Sequence, residues 1–308
     1  MSTHRRSIAL TIAGFDPSGG AGVLADVRTF GAFGFQAAAA ITSVTFQNAA
    51  RVFAAVHQSG EVVRAQIMPL LEDAETEIVC VKLGMLPTRE VVLEVARLFR
   101  ENDLPRPVID PVIMSSSGYR LMEESALTAL IEELLALAQL ITPNIPEAET
   151  LTGITIASET EMRRAAAIIR ELGAPAVLIK GGHLAEQKAE GSRQKAEGAQ
   201  REGGSPTIRE GSATEGRKQT AESRIQSETQ KESDEAIDVL DNEGKVTVFR
   251  ERRVRGAKLH GSGCILSAAI AAGLGQGKTL EDSVAAAKSF VLDALRHSAS
   301  GTSMANEN

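Results

Sequence analysis

The sequence has no tryptophan, one tyrosine and nine phenylalanines, so aromatic rings supply little of its core and little stacking surface for bases. It has no basic excess either. With 33 basic against 40 acidic residues and a net charge of −7, a surface built to hold a phosphate backbone is disfavoured as the main activity. Cysteine is scarce, and Cys80 and Cys264 lie in unlike contexts, which excludes a disulfide framework. Long apolar runs are missing too: MSTHRR leads into only a short stretch, Ser7–Ala13, before Gly14, which is neither a signal peptide nor a membrane helix. A reducing, cytoplasmic setting is expected. What is present is 308 residues with 43% hydrophobic content, enough to bury a substantial core.

Composition changes abruptly between Glu186 and Glu235, where charged residues crowd and Ile208 and Ile225 are the only large aliphatics. An imperfect repeat, Gln187–Gly191 and Gln194–Gly198, is followed by Gly203-Gly204-Ser205-Pro206. Such a stretch cannot supply a core and reads as a disordered, low-complexity insertion at 186–235 into one domain spanning 1–308. Elsewhere short apolar runs alternate with helical patterns, the mark of βαβ units around a mostly parallel sheet. Strands are expected at Ser7–Ala13, Gln36–Ile41, Ile78–Leu83, Pro107–Asp110, Gln139–Thr142 and Ala176–Lys180. Helices are expected at Gly20–Phe33, Thr88–Arg100, Ser125–Leu137 and Glu159–Leu172. Ala236–Leu240 and Lys245–Phe249 read as an edge hairpin, and Gly263–Ala272 and Leu280–Arg296 as closing helices.

Two glycine-rich segments carry chemistry. In Leu259-His260-Gly261-Ser262-Gly263-Cys264 a tight turn enters an apolar helix, and with no side chain at Gly261 and Gly263 an anion can approach free N–H groups where the helix dipole is positive. That describes a phosphate cradle or an oxyanion hole, and equally a plain turn before a core helix. A thiol at such a helix start is expected to have a lowered pKa, which makes Cys264 a candidate base, whereas Cys80 within Ile78–Val81 reads as an inert core residue. The second segment, Gly14-Phe15-Asp16-Pro17-Ser18-Gly19-Gly20-Ala21-Gly22, follows the first strand and precedes a helix carrying Asp26. Ligands of open α/β sheets sit there, beyond the carboxyl ends of strands. Its spacing fits neither a dinucleotide fingerprint nor a P-loop. Gly275-Gln276-Gly277-Lys278-Thr279 ends like a P-loop but joins two helices, and Thr279 is better placed as an N-cap. Single residues at strand ends complete the set: Asp110, Asn144, Glu147 and Lys180, of which the carboxylates suit a hydrated Mg²⁺ and the lysine a nucleotide phosphate.

Taken in order, Ala13–Gly22 with Asp26, Lys82-Leu83-Gly84-Met85-Leu86, Asp110-Pro111-Val112, Thr142–Ala148, Lys180–His183 and His260–Cys264 resemble the hydroxymethylpyrimidine and phosphomethylpyrimidine kinases of thiamin biosynthesis, within the ribokinase-like superfamily. The resemblance implies a three-layer α/β/α fold and two ATP-dependent phosphorylations, of 4-amino-5-hydroxymethyl-2-methylpyrimidine and then of its monophosphate. It places Gly14, Asp26, Gln47 and Met85 around the pyrimidine and makes Cys264 the base beside an anion hole at Gly261, Ser262 and Gly263. Asn144 and Lys180 would bind the nucleotide, Glu147 and Asp110 the Mg²⁺, and a homodimer is the family's frequent state. The chain departs from the family at Ser262, at Lys258-Leu259, at Ala49-Ala50-Arg51, and at Ser116 and Tyr119 in the loop after Met114. Those last two bear on the second phosphorylation. A pyridoxal or pyridoxine kinase of the same superfamily and a non-catalytic ligand-binding regulator are the rival readings.

Overall fold

A computed structural model describes residues 5–182, 235–254 and 259–299. The expectation of disorder at 186–235 lies outside the described residues, except for Glu235, which opens a strand. Nine strands form one sheet in the order β3-β2-β1-β4-β5-β6-β7-β8-β9. They are β1 (Arg6–Phe15), β2 (Gln36–Gln47), β3 (Val52–His57), β4 (Thr76–Leu83), β5 (Val108–Ile109), β6 (Leu140–Ile141), β7 (Ala176–Lys180), β8 (Glu235–Asn242) and β9 (Lys245–Arg252). From β2 through β7 neighbours pair parallel, while β3, β8 and β9 pair antiparallel at the two edges.

A parallel sheet must be covered on both faces, so its central strands are mostly apolar, with Thr11 and Lys82 as buried exceptions. In β1 the residues Ile8 to Gly14 are buried without a break. Leu10 and Ile12 face a layer built by α2 (Gly60–Glu72), α3 (Arg89–Glu101), α4 (Glu124–Ala129, continued to Leu137 by a π-helical and a 3₁₀ turn), α5 (Ile145–Thr152) and α6 (Glu159–Glu171). Ala9 faces the other layer, made by α1 (Gly22–Ala32), α7 (Ser262–Gly275) and α8 (Leu280–Ala299). At the end of α7 the absence of a side chain lets the helix lie close to the sheet: a Cβ built at Gly275 would stand 3.0 Å from Cys80 Cβ. The expected three-layer α/β/α arrangement with a mostly parallel sheet is the observed one.

Three elements were not read from the sequence. β3 is short and α2 carries Pro69 inside it, so neither shows a clean period. α5 begins in the proline-rich stretch after β6, where a capping box rather than periodicity defines its start. β2 also runs six residues past the expected Ile41, because β3 pairs with the part that outreaches β1.

Candidate active site

The parallel strands all deliver their carboxyl ends to one rim, and the turn that opens α7 lies across it. Gly261, with φ of 75°, is the left-handed residue before α7, and a Cβ there would stand 2.1 Å from Gly20 O. Only glycine fits. The Ser262 N–H is spent on Leu259 O at 3.2 Å, while those of Gly263 and Cys264 find no partner among the described residues. Two backbone donors are thus aimed outward at the positive end of a 14-residue helix. Lys180 Nζ adds a full charge there, since a Cβ built at Gly263 would be 3.1 Å from it. The start of α7 is anchored beneath by Ser267 Oγ, which donates to Gly263 O at 2.9 Å and lies 2.9 Å from Thr142 Oγ1 at the end of β6. Arg255 to Lys258 of the same motif, and His183 after the Lys180 strand, lie outside the described residues.

Gly14 and Met85 are in contact: a Cβ at Gly14 would stand 2.9 Å from Met85 Sδ, and Thr42 Oγ1 fixes Met85 by donating to its carbonyl at 2.6 Å. Gln47 ends β2 on the same rim, beside Asp16. Burial by itself would raise the Asp16 carboxyl, but hydrogen bonds from Gln47, Ser18 and Ala21 outweigh it and hold the group below the usual carboxylate range. Asp26 departs from expectation. It has no exposed surface, and its carboxylate is committed to Thr11 Oγ1 at 2.6 Å and Lys82 Nζ at 2.9 and 3.1 Å. A side chain sealed in this way underlies the pocket and does not line it. Burial pushes Asp26 up and Lys82 pulls it back, and in turn Asp26 keeps the equally enclosed ammonium charged.

Asp110 and Glu147 also behave differently from free metal ligands. Lys180 Nζ bonds Asp110 Oδ1 at 2.8 Å. Burial opposes ionisation of Asp110, but Lys180 first, then Lys82, hold its carboxyl low. Glu147 and Asn144 form the reciprocal capping box of α5, with Asn144 N–H donating to Glu147 Oε2 at 2.8 Å and Glu147 N–H to Asn144 Oδ1 at 2.9 Å. Burial pushes the Glu147 carboxyl up to about 7. Among the described residues no three His, Cys, Asp or Glu side chains are arranged to hold a metal. Two carboxylates sharing one lysine fit an ion that arrives hydrated with a nucleotide, since Mg²⁺ keeps most of its waters and takes few protein ligands.

The thiol corrects the sequence reading. Cys264 was expected to be partly ionised by the helix dipole, yet burial pushes it up to about 12, and the pull of Lys82 and a backbone N–H from Gly22 do not compensate, with Asp110 and Asp26 adding repulsion. A local dipole is a fraction of a charge, whereas desolvation acts on the whole thiolate. Cys80, expected to be inert, is 4% exposed and burial pushes it up to about 12 as well. Asp16, His260 and Lys82 were not singled out in the sequence although all three stand inside the quoted motifs; their types carried no signal without their partners.

Comparison with known proteins gives a consistent picture. The profile of the phosphomethylpyrimidine kinase family matches residues 16–212 and 219–306. A hydroxymethylpyrimidine/phosphomethylpyrimidine kinase from Rhizobium meliloti is 37% identical over 290 residues, covering 94% of this chain and 90% of its own. The crystal structure of phosphomethylpyrimidine kinase from Clostridium difficile 630 is 32% identical, with a TM-score of 0.68 and coverage of 94% and 99%. A Bacillus subtilis pyridoxal kinase solved as an ADP complex is 29% identical, with a TM-score of 0.68 and coverage of 92% and 90%. No helix among the described residues is long and apolar enough to cross a membrane. With a family profile that spans most of the sequence and full-length relatives above thirty per cent identity, the chain belongs to the phosphomethylpyrimidine kinase family.

Proposed function

We propose that this chain, read as one kinase domain interrupted at 186–235, transfers the γ-phosphoryl group of ATP to the hydroxymethyl oxygen of 4-amino-5-hydroxymethyl-2-methylpyrimidine and then to the resulting monophosphate. One observation carries the reading: the N–H groups of Gly263 and Cys264, without a partner among the described residues and with Lys180 Nζ beside them, lie on the rim that Gly14, Gln47 and Met85 share. Phosphoryl transfer asks a protein mainly for positioning and for charge stabilisation, and this rim offers both. The anion turn and Lys180 receive the phosphates. Asn144, whose side chain caps α5, orients the Lys180 strand end that pairs with it, while Gln47 offers an amide to the nitrogen edge of the ring. Mg²⁺, when bound with the nucleotide near Glu147 and Asp110, supplies neutralisation of the transferring charge.

Cys264, at the start of α7 beside the anion turn, is assigned as the base for the attacking hydroxyl. Because burial pushes its thiol up to about 12, its proton must leave as the hydroxyl proton arrives; where Glu147 and water hold the Mg²⁺, Asp110, which hydrogen-bonds the thiol, is the acceptor on offer. Lys180 turning from Asp110 to a phosphate would raise the Asp110 carboxyl and favour that transfer. A homodimer belongs to the same reading and is checked by light scattering. The deciding experiment is a product assay with ATP, Mg²⁺ and the two pyrimidines alongside pyridoxal. Phosphorylation of both pyrimidines in preference to pyridoxal supports the proposal, preference for pyridoxal replaces it with the pyridoxal kinase reading, and absence of ATP turnover on any of them leaves only ligand binding.

A further inference from the structure

The glycine loop after β1 and the anion turn before α7 lie far apart in sequence and meet at one carboxylate. Asp16 is 3% exposed, and both oxygens of its carboxylate are engaged, with Gln47 among the donors. Oδ1 accepts from Ser18 N–H at 2.8 Å and Ser18 Oγ at 2.7 Å, and Oδ2 accepts from Ala21 N–H at 2.9 Å and lies 3.0 Å from His260 Nε2. An ionised carboxylate only accepts, so the Nε2 that faces it carries a hydrogen. The imidazole also packs against Gly20, where a Cβ would stand 2.1 Å from His260 Cδ2. His260 immediately precedes left-handed Gly261, whose backbone aims the N–H groups of Gly263 and Cys264. A side chain locked at that point fixes the direction of the turn, and with it where a phosphate would be held.

We propose that Asp16 and His260 are a positioning pair for phosphoryl transfer, through which the loop that receives the pyrimidine sets the orientation of the anion turn. The inference rests on the kinase reading above. Neither residue needs to touch a reacting atom. Small errors of placement at a phosphoryl-transfer site are costly, since about 1 Å of displacement can remove about 10²-fold in rate. His260 should therefore act on kcat and little on pyrimidine affinity, whereas Asp16, which also accepts a hydrogen bond from Gln47, should touch both.

The test is steady-state kinetics of His260→Ala, His260→Gln, Asp16→Asn and the Asp16→Asn/His260→Ala double variant, with Tm measured for each. Expected for His260→Ala is a fall in kcat of about 10- to 100-fold with the pyrimidine KM within about threefold of wild type. His260→Gln keeps an N–H donor and should recover part of that rate. The double variant should be no slower than the slower single variant, because both remove one contact. Multiplying losses in the double variant, a His260→Ala kcat near wild type, or equal damage by His260→Ala to kcat and to both KM values would each overturn the pairing. Should His260→Ala not fold, His260→Gln decides by the same split between kcat and KM. Wild type is assayed first on the pyrimidine and on pyridoxal. Failure on the pyrimidine overturns the substrate reading alone, and the pair is then scored on pyridoxal turnover.

Discussion

At the scale of single residues the two thiols make the sharpest contrast, because burial pushes both to about 12 yet only one borders the site. At pH 7 the Cys264 thiol should therefore be almost wholly protonated. Alkylation of the unliganded protein by iodoacetamide should then be slow and should accelerate about tenfold per pH unit from 7 to 10. A plateau in that profile near pH 7 would restore the thiolate that the helix dipole alone suggests, and Cys80→Ala should leave the profile unchanged. Cys264→Ala should fold and lower kcat by ~10²–10⁴-fold, the usual cost of losing a general base, with Cys264→Asp recovering part of the rate. Turnover of Cys264→Ala near wild type would leave positioning by the anion turn to explain catalysis. Gln47→Ala should raise the pyrimidine KM by about 10- to 100-fold, the equivalent of about 1–3 kcal/mol for unpaired ring nitrogens, while the KM for ATP stays within about threefold. Equal effects on the two KM values would place Gln47 in the structure of the rim.

At the scale of elements, β7 carries the lysine beside the anion turn and α5 the carboxylate that interacts with that lysine, and each is held by an interaction that can be removed separately. The Glu147 carboxyl in the α5 capping box is raised by burial from 4.5 to about 7, so the folded state binds its proton more tightly than the unfolded state does. Its contribution to stability is fully present below about pH 4.5 and is lost as pH rises towards 7, amounting to about 3 kcal/mol. Glu147→Gln keeps a carbonyl to accept from Asn144 but cannot titrate. In the absence of Mg²⁺ the Tm of this variant relative to wild type should therefore rise between pH 5 and pH 7.5, by roughly 5 °C. A constant difference would show that Glu147 titrates normally. At the end of β7, Gly181 donates its N–H to Asp238 Oδ1 at 2.8 Å, and a Cβ there would stand 2.1 Å from Ile237 O. Backbone cannot yield as a side chain tip does. Gly181→Ala should separate β7 from β8, lower stability by about 2–3 kcal/mol and weaken nucleotide binding through the neighbouring Lys180, as read by Tm and by ADP titration.

At the scale of the whole molecule, the segment between β7 and β8 is bridged by the sheet itself. Lys180 pairs with Asp238 in the antiparallel register, so the flanks of the 186–235 stretch are side by side whatever the connection. Replacing residues 186–234 with a short Gly-Ser linker should change Tm by no more than about 2 °C and leave kcat nearly unaltered, because loop length costs little once the ends are fixed. A larger loss in either measurement would show that the segment contributes to packing or turnover.

The α/β class, the two glycine-rich turns and the strand-end positions of Asp110, Asn144, Glu147 and Lys180 were legible in the chain, because periodicity and glycine placement are local properties. β3, α2 and α5 were not, since a short edge strand, a helix with Pro69 inside and a proline-rich helix start have no clean period of their own. Residue types near the site were also readable; their electrical states were not. The sequence by itself determined the α/β class and which chain segments end at the rim. Only the tertiary structure decided that Asp26 is sealed against Lys82, that Lys180 already pairs with Asp110, and that Asp16 grips His260 across the chain. It likewise decided that burial, and not the helix dipole, governs Cys264. The reason is physical: hydrogen bonding and desolvation depend on partners brought from distant segments, and no local pattern encodes how much water a folded site excludes.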